Sequence, residues 1–209
     1  MVQSTVEDVS TRLLGGQDVP PDLKRLIEIG ARRSTDGNAF PGGALAATGF
    51  NLIDPDHLPA LLSHSYLNER DRADPNIMAN IRAFDEVFAL SAFVAVGDED
   101  EIVGYWQGPD QVPLDQAPFV ILDSEGQFSL LPGATITEAM VIYSLQARFN
   151  EAEVQPRFEE MCESFRAFDI NLANRDLAMV KVNPTRVDPA EIHSSAYTKF
   201  RTEAGLSPI

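Results

Sequence analysis

Residues 91–131 read SAFVAVGDEDEIVGYWQGPDQVPLDQAPFVILDSEGQFSLL, and the punctuation of this stretch decides the fold. An apolar run of strand length at 92–96 stops at Asp98-Glu99-Asp100-Glu101 and resumes at 102–107. Short runs of apolar, β-branched and aromatic residues separated by a polar turn are the signature of paired strands. The pattern then repeats. Phe119-Val120-Ile121-Leu122 is followed by Asp123-Ser124-Glu125-Gly126, whose glycine tolerates positive φ, and by a returning run at 127–131. Two hairpins in succession predict a four-stranded antiparallel meander over about 92–131.

Outward from the meander the apolar period lengthens to that of helices. On the N-terminal side Asp74 is placed as an N-cap with Pro75 at the first helical position, and Ile77, Ile81, Phe84 and Phe88 recur at helical spacing. On the C-terminal side Thr135 with Glu138 has the capping-box spacing, and a further stripe of Val154, Phe158, Met161, Cys162, Phe165 and Phe168 follows. Asp188, Pro189 and Glu191 repeat the same start signals for a last helix that Gly205 stops, and 177–182 reads as a last strand. Near the N-terminus, Val6, Val9, Leu13 and Leu14 mark a short helix ended by Gly15-Gly16, and Pro20-Pro21 opens a second that ends near Gly30. The Gly, Pro, Asn and Ala-rich segment 34–51 reads as loop or weakly structured, and Leu58, Leu61 and Leu62 share a short helical face. The expected class is α+β, an antiparallel or mixed central sheet with helices packed around it. The expected organisation is one domain over 1–209, with a core at about 20–150 and a helical C-terminal extension at about 151–209.

The charge is unevenly placed. Among 209 residues, 32 acids against 16 bases give a formal charge of −16, a balance that repels nucleic-acid phosphates and anionic membrane surfaces. Between residues 83 and 147 there is no Lys or Arg, yet 11 acids fall there: Asp85, Glu86, Asp98, Glu99, Asp100, Glu101, Asp110, Asp115, Asp123, Glu125 and Glu138. The strands are too apolar to hold them, so most belong in exposed turns. Alternate turns of an up-and-down sheet share one end, which brings Asp98, Glu99, Asp100 and Glu101 toward Asp123 and Glu125. Their fields would add and steer a cationic partner, such as a basic protein. These acids, with Asp110 and the aromatic pair Tyr105 and Trp106 as anchors, form the candidate partner-binding set. A solvated face serving solubility is the alternative for the acids, and core packing is the alternative for Trp106.

Signals of catalysis are sparse. His57 and His64, seven apart and so placed to share a helical face, have Asp54 and Asp56 nearby but no completing cysteine or tightly spaced acid, so no metal or cofactor is assigned. A metal-dependent enzyme or binder built on those histidines is kept as an alternative. Residues 98–101 match a calcium loop in charge alone. Pro41-Gly42-Gly43 fits neither a phosphate loop nor a dinucleotide fingerprint. Cys162, the only cysteine, lies on an apolar stripe as a buried thiol, which points to a reducing, cytoplasmic setting. No signal peptide and no membrane-spanning run is read from the sequence.

The segment from Phe93-Val94-Ala95-Val96-Gly97 through Ile102-Val103-Gly104-Tyr105-Trp106 to Pro118-Phe119-Val120-Ile121-Leu122-Asp123-Ser124-Glu125-Gly126 resembles the central sheet of the SUKH superfamily. The helix opened by Thr135 stands where that family's post-sheet helix stands, and Pro20-Pro21-Asp22-Leu23 resembles its early helix. The likeness spans about 20–150 and is strongest over 92–145. It implies an α+β fold, no shared catalytic residues, and an immunity-type role in bacteria, binding and neutralising a cognate toxin. Fungal relatives regulate cell-wall synthesis. A regulatory or scaffold protein with no toxin partner is the second reading.

Overall fold

In the computed structural model, which describes residues 5–35, 43–172 and 176–207, the two hairpins form and a fifth strand joins them. Strands β2 (Ser91–Gly97), β3 (Ile102–Trp106), β4 (Phe119–Leu122) and β5 (Phe128–Leu131) make the meander, and β1 (Phe50–Leu52) adds to the free edge of β2. Every pairing is antiparallel, in the order β1-β2-β3-β4-β5. With helices α1 (Val6–Arg12), α2 (Pro21–Thr35), α3 (Gly43–Thr48), α4 (Ala60–Ser63), α5 (Glu69–Ala73), α6 (Pro75–Phe88), α7 (Ile136–Arg148), α8 (Glu151–Arg166) and α9 (Pro189–Glu203), the protein is α+β.

The strands read as unbroken apolar runs because the sheet is covered on both faces. Val103, Tyr105, Phe119 and Ile121 point into a core shared with Leu23, Leu26 and Ile27 of α2, Met140 and Leu145 of α7, and Phe158, Cys162 and Phe165 of α8. Their neighbours Ile102, Trp106, Val120 and Leu122 point into a second core with Ile81, Phe84 and Val87 of α6. Side chains alternate along a strand, so two buried faces remove the alternation of polarity that a half-exposed sheet shows. α7, enclosed between the sheet and α8, is buried almost all round, including Thr137, Glu138 and Ser144.

One irregularity matters for the sheet. Phe93 pairs with Gly104, and the next register partner of Val103 is Ala95, so Val94 is the extra residue of a β-bulge. Val94 and Ala95 both reach the first core, while Phe93 and Val96 serve the second. The kinked strand presses onto Gly104, where a Cβ would lie 2.6 Å from Phe93 Cα.

Three expectations are corrected. The segment 34–51 is not loop throughout: α2 runs past Gly30 to Thr35, and α3 and β1 follow. Gly49 (φ +75°) lies against the Arg148 guanidinium, in a left-handed conformation that suits glycine. Pro41-Gly42 lies outside the described residues, whereas Gly43 opens α3. The expected strand at 177–182 is a 3-10 turn, Leu177–Met179, because its apolar residues meet a helix and not a strand edge. Leu177 and Val180 pack on the first core, and Gln155 Oε1 of α8 accepts from Leu177 N–H at 2.9 Å. His57 and His64 share no helical face, since α4 spans only Ala60–Ser63 and His64 is its left-handed cap (φ 53°).

The helix starts follow their caps. Asp74 Oδ1 accepts from Asn76 and Ile77 N–H, Thr135 Oγ1 from Glu138 N–H, and Asp188 Oδ1 from Ala190 N–H. Such caps typically stabilise a helix by about 1 kcal/mol. The two C-terminal helices supply cover for each face, α8 against α7 and α9 against α6. Cys162 is fully buried, and burial, only partly offset by Arg166, pushes its thiol up from the ordinary value. Labelling by an aromatic disulfide reagent is accordingly expected to be at least ~100-fold slower in the native protein than in denaturant. A fast native reaction would place this thiol at the surface.

Candidate functional site

The connection after β2 and the connection after β4 meet at one end of the sheet, because Ile102 at the start of β3 pairs with Leu122 at the end of β4. The first turn is closed by Gly97 N–H to Glu101 O at 2.7 Å, with Asp100 in the left-handed region (φ 66°). The second is closed by Asp123 N–H to Gln127 O at 3.0 Å, with Gly126 at φ +80°. Asp98, Glu99, Asp100 and Glu125 are exposed, and Glu101 and Asp123 are half-buried.

These six acids divide by what their carboxylates touch. Asp123 Oδ1 accepts from Glu125 N–H at 3.0 Å and from Gln127 N–H at 2.8 Å, so it builds its own turn. Glu101 Oε2 accepts from Glu99 N–H at 2.9 Å, and its side chain lies over the Gly97 Cα. Asp98 has a cation, Arg148 Nη2, at 3.7 Å, and Arg148 is also tied to Ala47 O at 3.3 Å. Glu99, Asp100 and Glu125 have no ion-pair partner among the described residues, and Glu125 accepts only a long 3.4 Å contact from Gln127 Nε2. Tyr143 of α7 lies beside this end. Its hydroxyl is held above the ordinary tyrosine range by burial first, then by Glu101, Asp123 and Glu99, so three carboxylates act on one group. Among the described residues Arg148 alone pairs with this end, which leaves most of its carboxylates without an ion-pair partner there.

Other members of the candidate set lie elsewhere. Asp110 is in the connection after β3, at the opposite end of the sheet, where Arg186 Nη1 is 3.6 Å away and a cleft of about 410 Å³ is lined by Gln107, Asp110, Pro184 and Arg186. Tyr105 and Trp106 are 2% and 0% exposed, so they are core residues and not surface anchors. Both faces of β3 are covered, which turns one of the pair into each core. Trp106 Nε1–H donates to Val187 O at 2.9 Å, and burial together with Asp22 pushes the Tyr105 hydroxyl well above its ordinary value. Glu138 also departs from the exposed set: it is buried, and its carboxylate accepts from Ala134 N–H at 2.5 Å ahead of α7.

His57 and His64 engage single carboxylates in separate places. His57 Nδ1 is 3.0 Å from Asp54 Oδ2, and His64 Nε2 is 2.7 Å from Asp85 Oδ1 on α6. No group of three or more His, Cys, Asp or Glu side chains able to hold a metal ion is present among the described residues. No helix among them is long and apolar enough to cross a membrane. Arg148 was missed in the sequence because it stands just outside the cation-free interval, and only the packing of α7 against α3 brings it back to Asp98. No protein-family model matches this chain, and no curated protein matches it in sequence.

Proposed function

We propose that this chain is a non-enzymatic protein-binding module of the immunity type, whose acidic sheet end meets a basic toxin domain. The observation that carries the reading is the shared position of the two acidic turns, with Glu99, Asp100 and Glu125 exposed and without an ion-pair partner among the described residues. Like charges held together in the free protein are unfavourable, and a cationic partner relieves that repulsion while being drawn in by the field. The immunity class rests on the resemblance of residues 92–145 to the SUKH sheet, and the acidic end gives that class a basic partner. The cytoplasm is the setting proposed, in keeping with a lone buried thiol.

Capture from a native lysate followed by mass spectrometry should return a basic protein, which then serves in kinetics. The variant Glu99→Lys/Asp100→Asn/Glu125→Lys changes the three freest acids and spares Asp123 and Glu101, which build the turns. Asn is chosen at 100 because it tolerates the left-handed backbone. Association is expected to slow by about tenfold or more at low salt, with a flatter salt dependence. An unchanged association rate and affinity would remove the acidic end from the interface.

A further inference from the structure

We propose that the outer edge of β5 takes up an extended segment of another protein, bearing Lys or Arg, as a further strand of the sheet. The first ground is the direction in which the backbone groups of β5 point. Asp123 N–H bonds Gln127 O, and in the antiparallel register of β4 and β5 the bonded pairs then recur at Ile121 with Ser129 and at Phe119 with Leu131. Val120 and Leu122 turn the other way, toward Gly104 and Ile102 of β3, in step with Trp106 N–H to Pro118 O at 2.8 Å. Phe128 and Leu130 therefore each point an N–H and a C=O away from β4. Among the described residues no strand, turn or side chain bonds to these groups.

The two edges of the sheet differ. At β1, Asn51 faces Val96 across the ladder and Phe50 faces outward, where its N–H donates to Thr48 Oγ1 at 3.3 Å. The chain thus satisfies that outward donor itself. β5 has only its shortness among the usual protections of an edge: Phe128-Ser129-Leu130-Leu131 holds no Lys, no Pro and no inward charge, and its pairing has no bulge. α9 packs on the second-core side of β5, with the His193 ring 5.6 Å from Phe128, and so walls one face of the edge. On the other face Ser129 is exposed.

The second ground, charge, selects the occupant. The turn that leads into β5 carries Glu125, exposed and without an ion-pair partner among the described residues, and the acidic turn at 98–101 lies at the same end of the sheet. A second copy pairing through its own β5 would add a strand without a cation, on a chain of net charge −16. A foreign strand with Lys or Arg beside Glu125 fits instead: its main chain supplies the ladder bonds, and its cations meet the acidic end. The inference deepens the function proposed above and rests on it for the charge of the partner, whereas the open edge stands on the sheet alone.

Residue-resolved amide exchange of the full chain at low salt tests the added strand, with a peptide of about six residues, alternating Lys and Val, as the probe. In the protein alone, Phe128 and Leu130 amides are expected to be protected about tenfold or more weakly than those of Ser129 and Leu131. Saturating peptide should raise their protection by about tenfold or more and leave α7 amides level. Spermidine, a cation without a peptide backbone, and a Glu-Val peptide, a backbone with the opposite charge, should both leave Phe128 and Leu130 unchanged. Strong protection of these two amides in the protein alone would show the edge already closed, and protection that grows with protein concentration would make a second copy the occupant. Either result overturns the proposal, as does a Lys-Val probe without effect or equal protection by a control. The captured basic partner separates this inference from the function on which it rests. If Glu99→Lys/Asp100→Asn/Glu125→Lys slows association while Phe128 and Leu130 stay unprotected in the complex, the acidic end remains the interface and the added strand is excluded.

Discussion

Gly104→Ala is expected to destabilise the protein by about 3 kcal/mol or more, as a lower midpoint in urea denaturation or as loss of soluble expression. The added Cβ would stand 2.6 Å from Phe93 Cα and 2.7 Å from the Ala92 carbonyl carbon, and closer still to Ala92 O. These are backbone atoms of the neighbouring strand, which cannot swing aside as a side-chain tip can. Relief would require β2 and β3 to separate at the bulge, and the bulge sends Val94 and Ala95 together into the first core. A variant with wild-type stability would mean that β2 relaxes without loss of packing, and the bulge would then be incidental. Gly126→Ala is the control: its Cβ meets only Phe84 Cζ at 3.4 Å, so its cost is that of a positive φ, about 1–2 kcal/mol.

The glycine at 104 also marks where the sequence stopped being legible. Strand boundaries and turns in 91–131 could be read because a sheet covered on both faces writes itself as uninterrupted apolar runs between polar turns. The bulge could not, since Phe93, Val94 and Ala95 are all apolar and a one-residue slip leaves no mark in such a run. β1 was hidden for another reason. Phe50, Asn51 and Leu52 are three residues beside a glycine-rich stretch, and their strand character comes from pairing with Ala95, Val96 and Gly97. The apolar run at 177–180 is the converse case: local propensity favoured a strand, but Leu177 and Val180 found the first core beside α8.

The site divides in the same way. Up-and-down topology fixes which turns share an end, so the meeting of residues 98–101 with Asp123 and Glu125 follows from counting strands. What each carboxylate does there is set by turn geometry, with Asp123 bonding its own backbone and Asp100 in a left-handed conformation. Neither is written in charge alone. Asp110 was drawn into the set by composition, though the odd connection after β3 carries it to the far end beside Arg186. His193 stood isolated in sequence, and its three aromatic neighbours come from α6, β5 and α9, so no local pattern could show them.

Trp106→Ala is expected to cost about 3–5 kcal/mol, measured as the shift in the urea midpoint at unchanged slope. The indole is fully buried between α6 and the chain ahead of α9, and truncation both opens a cavity and leaves Val187 O without its 2.9 Å donor. Trp106→Phe separates these effects by keeping most of the ring volume and removing only the donor, for a loss of about 1–2 kcal/mol. The pair also distinguishes a core residue from an interface anchor. A buried indole at the end of the sheet away from the acidic turns has no surface to offer, so Trp106→Phe should leave the association rate with the proposed basic partner unchanged while lowering stability. A hot-spot tryptophan would behave in the opposite way, with stability preserved and dissociation accelerated. If Trp106→Phe weakened binding more than Glu99→Lys/Asp100→Asn/Glu125→Lys, the contact surface would have to lie beside residues 184–187, and the acidic turns would be left with solubility as their role.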